Sequence, residues 1–236
     1  MKVLGIIPAR YGSTRLPGKP LLDICGKSMI QRVYEQCLKS KNLDSVIVAT
    51  DDNRIFNHVT KFGGNVILTS TKHRTGTDRC GEVIDKYDKS FDLVVNIQGD
   101  EPLIDPLQID QLVNLFNNSE IDIATLAKKS SSKELFFDRN HPKAIIDKNS
   151  FALNFCREIK QNHTRSCFLH VGIYAFKKNV LEKICQLKET KNEKKEKLEQ
   201  LRWLDNHYRI KVGITNFESY SIDTLEDLKK IQQIIR

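Results

Sequence analysis

The chain has 236 residues, 39% of them hydrophobic and 29% charged, enough for one large domain or two small ones around a buried core. Its mean hydropathy of -0.43 is low, but the apolar residues gather in short runs, which argues against a disordered polymer. The 38 Lys and Arg against 30 Asp and Glu leave a net charge of +8, open to a nucleic acid, a membrane surface or a polyanionic small ligand.

Residues 3–7 read as a buried strand. Ser28 and Gln31 have the spacing of a capping box, so a helix starts there and runs through Val33, Cys37 and Leu38 toward Ser40. Residues 45–49 form a second strand; Asp51 and Asp52 then open a helix toward Phe62, with Gly63 and Gly64 as its stop. A third strand covers 66–68, a helix runs from about Asp78 to Tyr87, and a strand covers 93–97. Pro106 begins another helix and residues 121–127 another strand. This alternation predicts an α/β fold, a mostly parallel central sheet with helices on both faces. Residues 144–146, 151–156 and 171–176 read as strands without helices between all of them, so a smaller antiparallel extension is expected. The charged segment 188–197 reads as an exposed helix start or loop with a solvated face, and Asp223 to Ile235 as an amphipathic terminal helix. With no repeat or linker, a single domain over 1–236 is expected, with an extension at about 128–205.

The charge is concentrated. Residues 1–22 hold Lys2, Arg10, Arg15 and Lys19 and no acid, while 128–165 hold nine bases against four acids, giving +4 and +5; the rest sums to -1. A basic stretch punctuated by Gly and Pro suits a specific anion site better than a smeared nucleic-acid face. The six cysteines stand singly, none spaced for zinc, as buried or idle thiols of a reducing cytosol would. The apolar run at 3–8 is too short for a signal peptide, and no stretch approaches membrane-spanning length, so the expected location is cytoplasmic with no membrane partner.

The segment from Pro8 and Ala9 through Arg10, Gly12, Ser13, Thr14, Arg15, Gly18 and Lys19 to Pro20 follows the first strand, where open α/β sheets bind ligands. Its glycines admit close approach of an anion, its hydroxyls and backbone N–H groups donate hydrogen bonds, and Arg10, Arg15 and Lys19 supply the charge a triphosphate demands. It is not a Walker loop: five residues separate Gly12 from Gly18 where that motif has four, and Pro20 stands where Ser or Thr would bind magnesium. Gln98, Gly99, Asp100, Glu101 and Pro102 end the strand at 93–97 on the same edge. Asp100 is a natural Mg2+ ligand and Gln98 can read a base edge; the plainer account is that Asp100 or Glu101 shapes a turn. In the segment from His73 to Arg79, Thr77 or Asp78 reads as a helix cap, while Arg79 and the hydroxyls could face a nucleotide. Asp223 precedes the last helix, as an N-cap or a metal ligand.

Together these segments closely resemble the 3-deoxy-manno-octulosonate (Kdo) cytidylyltransferases, also called CMP-Kdo synthetases. The resemblance runs the length of the chain through residues 7–20, 29–36, 49–52, 73–79, 96–102, 170–175, 198–202 and 223–227. It implies a Rossmann-like nucleotidyltransferase fold and the conversion of CTP and Kdo to CMP-Kdo and diphosphate, for lipopolysaccharide biosynthesis. Carried over, Arg10, Arg15 and Lys19 hold the triphosphate, with Arg15, Lys19 and Asp100 catalytic. Pro8, Ala9, Gln98, Thr75 and Arg79 complete the nucleotide site, and Asp100 and Asp223 bind Mg2+. Arg157, His170, Tyr174 and Gln200 line the sugar-acid pocket within a sugar-binding and dimerisation extension. For His170 and Tyr174 the plain alternative is a core position. The implied partners are CTP, Kdo and a second copy of the chain, with no nucleic acid. The chain departs from the pattern after Arg157, where Glu158, Ile159 and Lys160 replace Pro-Ile-Pro, so an 8-amino analogue of Kdo is an alternative substrate. A sialate cytidylyltransferase and a basic nucleic-acid-binding module are the other readings.

Overall fold

The computed structural model describes residues 1–12, 16–117, 120–130, 133–159 and 167–235, without the side chains of Lys133 and Phe136. The chain divides into two compact units, Met1–Asp110 with Glu218–Arg236 and Gln111–Phe217. The expected extension at about 128–205 lies inside the second unit.

The first unit begins with β1 (Val3–Ala9), a short hairpin of β2 (Asp23–Ile24) and β3 (Lys27–Ser28), and α1 (Met29–Cys37). It continues with β4 (Ser45–Thr50), α2 (Asn53–Lys61), β5 (Val66–Leu68), α3 (Gly76–Lys86), β6 (Leu93–Asn96) and α4 (Pro106–Asn114), whose last turn passes into the second unit. The four long-range strands are all parallel: Leu4 is opposite Ser45 and Val94, and Val48 is opposite Val66. β1, β4 and β6 are buried almost throughout, the continuous apolar pattern of strands covered on both faces.

The caps are largely those read from sequence. Ser28 accepts the Gln31 N–H at 3.2 Å, though the Gln31 side chain turns to Glu35 at 3.0 Å and leaves the expected capping box half formed, and Asp52 accepts the Arg54 N–H at 2.9 Å. At α3 the cap is Thr75 rather than Thr77 or Asp78: Thr75 is extended, and its hydroxyl accepts the Asp78 N–H at 3.1 Å. Thr77 and Asp78 thus lie in the first turn.

The second unit comprises β7 (Ile123–Lys128), α5 (Lys133–Phe137), β8 (Lys143–Ile146), β9 (Ala152–Cys156), β10 (Cys167–Lys177), α6 (Lys178–Ile184), α7 (Lys191–Glu196), α8 (Gln200–Asp205) and β11 (Ile210–Thr215). β11 pairs parallel with β7, and β7, β10, β8 and β9 follow antiparallel, the extension read from sequence. Its core is aromatic: Trp203 stands edge-on to Tyr174 and Phe176, with centroids 5.0 and 5.2 Å away.

The solvated reading of 188–197 fails at one residue. Glu193 is buried, completing a capping box with Thr190 and taking two hydrogen bonds from Arg202, at 2.9 and 2.6 Å. After β11 the chain returns to the first unit as α9 (Leu225–Ile235). There Ile222 and Ile231 join Leu16, Ile24 and Met29 in a compact apolar cluster.

All six cysteines are free thiols, and Cys37, Cys80 and Cys167 are buried. Among the described residues no helix is long and apolar enough to cross a membrane.

Candidate active site

The carboxyl ends of β1 and β6 lie side by side because the two strands run parallel, with Ile6 opposite Asn96. Past β6 the Ile97 N–H still reaches the Ile6 carbonyl at 2.9 Å, and the chain then turns through Gln98, Gly99, Asp100 and Glu101. This turn is pressed against β1: a Cβ on Gly99 would lie 2.8 Å from the Pro8 carbonyl oxygen, so only glycine fits. Gly76, the first residue of α3, packs against the Pro8 ring. Pro8, the 98–101 turn and the Thr75 cap therefore share one corner, with Ala9 buried and Arg10 exposed beside it.

Gly18 takes a left-handed conformation, φ 68°, and donates its N–H to the Tyr11 carbonyl at 3.0 Å, which draws the loop ends together. Ser13, Thr14 and Arg15 lie outside the described residues. Lys19 follows, and its ammonium donates to Asp100 Oδ2 at 2.6 Å and to Asp223 Oδ1 at 3.0 Å. Asp100 does sit in the turn, as its plainer reading has it, but Asp223 is not the N-cap of the last helix. The turn of α9 is capped by Thr224, whose hydroxyl accepts the Asp227 N–H at 3.2 Å, while the Asp223 carboxylate faces Lys19. Asp100 is fixed by its backbone, its carbonyl accepting the Ile222 N–H at 3.0 Å.

Glu101, considered from sequence only as a turn residue, is 6% exposed. Burial pushes its pKa up to about 7; the Asp100 charge adds to the rise, and a hydrogen bond with Ser219 opposes it. A run of adjacent acids in a loop carries no sign that one of them is buried. Arg79 is not presented to this corner. It is 3% exposed, its guanidinium paired with Asp51 at 2.7 Å and bonded to Thr69. Gln98 is half-buried in the turn.

In the second unit, Arg157 spends its guanidinium on backbone carbonyls, donating to Glu196 at 2.9 Å, Arg139 at 2.9 Å and Lys197 at 3.4 Å. His170 and Tyr174 share a hydrogen bond at 2.9 Å, and His170 Nε2 is 3.1 Å from the Thr125 hydroxyl. β10 shifts register between Val171 and Tyr174, which brings both side chains to Thr125. Gln200, 5% exposed, starts α8.

Burial drops the His170 pKa from 6.5 to about 3, so the ring is neutral. Between these values the unfolded chain takes up a proton that the folded chain refuses, so stability falls as pH drops below 6.5. In a His170→Gln variant this contribution, up to about 1.4 kcal/mol per pH unit, should vanish, giving a flatter acid limb in urea unfolding followed from about pH 7 to about pH 4. An unchanged limb would mean that His170 titrates normally.

The cytidylyltransferase family model matches residues 4–211. A protein of Parabacteroides distasonis named 3-deoxy-manno-octulosonate cytidylyltransferase is 50% identical, the alignment covering 98% of this chain and 96% of the relative. The chain belongs to this cytidylyltransferase family. A relative of the same name from Bacteroides thetaiotaomicron is 46% identical over 100% of this chain and 99% of its own. A solved structure described as CMP:2-keto-3-deoxy-manno-octonic acid synthetase complexed with CTP superposes with a TM-score of 0.92 at 38% identity, covering 100% of this chain and 98% of that one. A Leptospira borgpetersenii cytidylyltransferase, 23% identical with a TM-score of 0.66, shares the fold. Membership in the cytidylyltransferase family makes this chain a nucleotidyltransferase, with the mostly parallel sheet and antiparallel extension that its sequence predicts.

Proposed function

We propose that this chain transfers the cytidylyl group of CTP to Kdo, giving CMP-Kdo and diphosphate. The observation that carries the reading is the meeting of Lys19, Asp100 and Asp223 at the carboxyl edge of a parallel sheet, in a chain 50% identical from end to end to an enzyme of that name.

In this reading the anomeric hydroxyl of the sugar acid attacks the α-phosphorus in line. The new O–P bond forms as the bond to the β-phosphate oxygen breaks, and the hydroxyl proton is released. The protein acts mainly by positioning the reactants and neutralising charge. Arg10, Arg15 and Lys19 hold the triphosphate, Arg15 and Lys19 following the charge onto diphosphate as it leaves. Pro8, Ala9 and Gln98 meet the cytosine. Thr75 and Arg79 act from α3, Arg79 by bracing the neighbouring loop through Asp51 and Thr69. Arg157 holds the sugar carboxylate once its guanidinium exchanges backbone carbonyls for it, since the planar fork matches either acceptor. His170, Tyr174 and Gln200 line the sugar pocket, His170 as a neutral hydrogen-bonding group.

The donor set suits Mg2+. Two carboxylates approach one cationic atom within 3.0 Å, so both can serve one small hard cation. Mg2+ takes one or two protein carboxylates and fills its shell with phosphate oxygens and water, so Asp100 and Asp223 would hold it. When bound it supplies charge neutralisation on the phosphates and Lewis acidity at the reacting phosphorus.

The same reading makes the protein a cytoplasmic homodimer feeding lipopolysaccharide synthesis, without nucleic acid. Diphosphate release from CTP should occur with Kdo, and parallel assays with 8-amino-Kdo and sialic acid rank the sugar acids. Silence with all three would remove the reading.

Gly99→Ala tests the corner itself. The new methyl meets backbone rather than a flexible side chain, so the turn carrying Asp100 must move off β1. A displacement of this order is expected to lower kcat/KM by about tenfold to a hundredfold. Diphosphate release assays on the purified variant read it directly.

A further inference from the structure

The ammonium of Lys19 lies against the oxygens a metal would use. Its side chain is 12% exposed, and its Nζ is 2.6 Å from Asp100 Oδ2 and 3.0 Å from Asp223 Oδ1. A divalent ion such as Mg2+ binds carboxylate oxygen at about 2.0–2.1 Å, so an ion bridging these two oxygens would press on the ammonium, with charges of the same sign. Ammonium and metal are therefore alternatives at one position.

We propose that Lys19 is an internal counter-cation, occupying the Asp100–Asp223 pair and keeping a free divalent ion out until a polyphosphate draws the ammonium away. The proposal rests on the nucleotidyl-transfer reading of this site. The parts needed for such an exchange are present. Lysine carries a point charge on a flexible four-carbon stem, and its three N–H donors serve phosphate oxygens as well as carboxylates. The backbone under it is held: the Lys19 N–H donates to Leu16 O at 3.1 Å and the Leu22 N–H to Lys19 O at 3.2 Å, so the exchange needs side-chain rotation only. The main chain under each acid is held independently of Lys19, at Asp100 by its carbonyl on the Ile222 N–H and at Asp223 by its own N–H, which donates to Asp227 Oδ2 at 3.0 Å. The backbone that carries the acids therefore needs no movement when the ammonium leaves.

The consequence is reciprocal coupling. The triphosphate lifts the barrier to metal, and the metal, by holding the acids, commits the ammonium to phosphate. A nucleotide-free protein with this arrangement binds divalent ions weakly.

The test uses Mn2+ alone on the full nucleotide-free chain, with free Mn2+ read by electron paramagnetic resonance. Lys19→Met and Lys19→Gln are each expected to bind Mn2+ at least about tenfold more tightly than wild type, within the range of couplings between linked sites. Arg10→Met removes an exposed charge that holds neither carboxylate in an ion pair and should stay within about threefold of wild type. Adding Asp100→Asn to Lys19→Met should abolish the gain. The proposal is overturned if neither Lys19 variant binds more tightly, or if Arg10→Met matches their gain. It is overturned equally if the gain survives Asp100→Asn. Diphosphate release by wild type is scored separately: turnover with unaltered Mn2+ binding removes only the counter-cation, and tighter Mn2+ binding without turnover removes only the cytidylyl-transfer reading.

Discussion

An Asp100→Asn variant is expected to fold normally and to lose turnover by about a hundredfold to a thousandfold, equivalent to about 3–4 kcal/mol of transition-state stabilisation. The amide keeps the shape of the side chain but not the charge that would hold Mg2+ against the phosphates. The fold has little stake in that charge. Asp100 is positioned by Gly99 against Pro8 and by its own carbonyl on Ile222, and neither contact involves the carboxylate. Lys19 keeps Asp223 as a partner. The melting temperature should therefore move by no more than about 2 °C. Diphosphate release and a thermal melt on the same preparation check both parts. Turnover within threefold of wild type would contradict the metal role of Asp100.

Glu193→Gln should show the opposite profile, a large loss of stability from a residue outside the proposed catalytic set. The Glu193 and Arg202 side chains are 9% and 6% exposed, with Arg202 also donating to the Leu187 carbonyl at 3.2 Å. Removing one charge of a buried pair takes from Arg202 the carboxylate that accepts its two short hydrogen bonds in a poor dielectric, a change that costs about 3–5 kcal/mol. Replacing both partners by apolar residues, Glu193→Met with Arg202→Met, should recover much of the loss, because it removes the desolvation penalty of both charges. Trp203, adjacent to Arg202 and the sole tryptophan of the chain, reports urea unfolding by its fluorescence. A loss under about 1 kcal/mol would show that the pair is not buried in solution.

The parallel half of the fold was legible because its strands are apolar without interruption and its helices carry local caps. Ser28 and Asp52 announce α1 and α2 within three residues of the groups they bond. α3 begins before the position its sequence predicts because several candidate caps crowd together, and only the backbone conformation of Thr75 decides among them. α6, α8 and β11 had no counterpart in the sequence reading; the two helices span seven and six residues, too few for a helical period to declare itself. Glu193 reads as solvated in the sequence because its partner is a residue nine positions away on another helix.

For the site, the edge on which the loops gather follows from parallel strand order, and the residue types named for it were readable by chemistry. The internal pairings were not. Lys19 is 81 positions from Asp100 and 204 from Asp223, and no local pattern tells a cation bound for phosphate from one already resting on two acids. Arg79 and Arg157 make the same point: each was readable as an anion ligand, and each is found holding protein groups, Arg79 on Asp51 and Arg157 on backbone carbonyls.

The ion pair spanning 204 positions also sets an order of events during synthesis. A ribosome that has reached residue 217 has delivered Lys19, Asp100 and every strand of both units, yet the nascent polypeptide still lacks Asp223 and the α9 residues that seal the cluster around Leu16 and Met29. Its cation site then has one carboxylate in place of two. On the proposed cytidylyl-transfer reading, catalytic competence is a late acquisition, gained only when α9 docks.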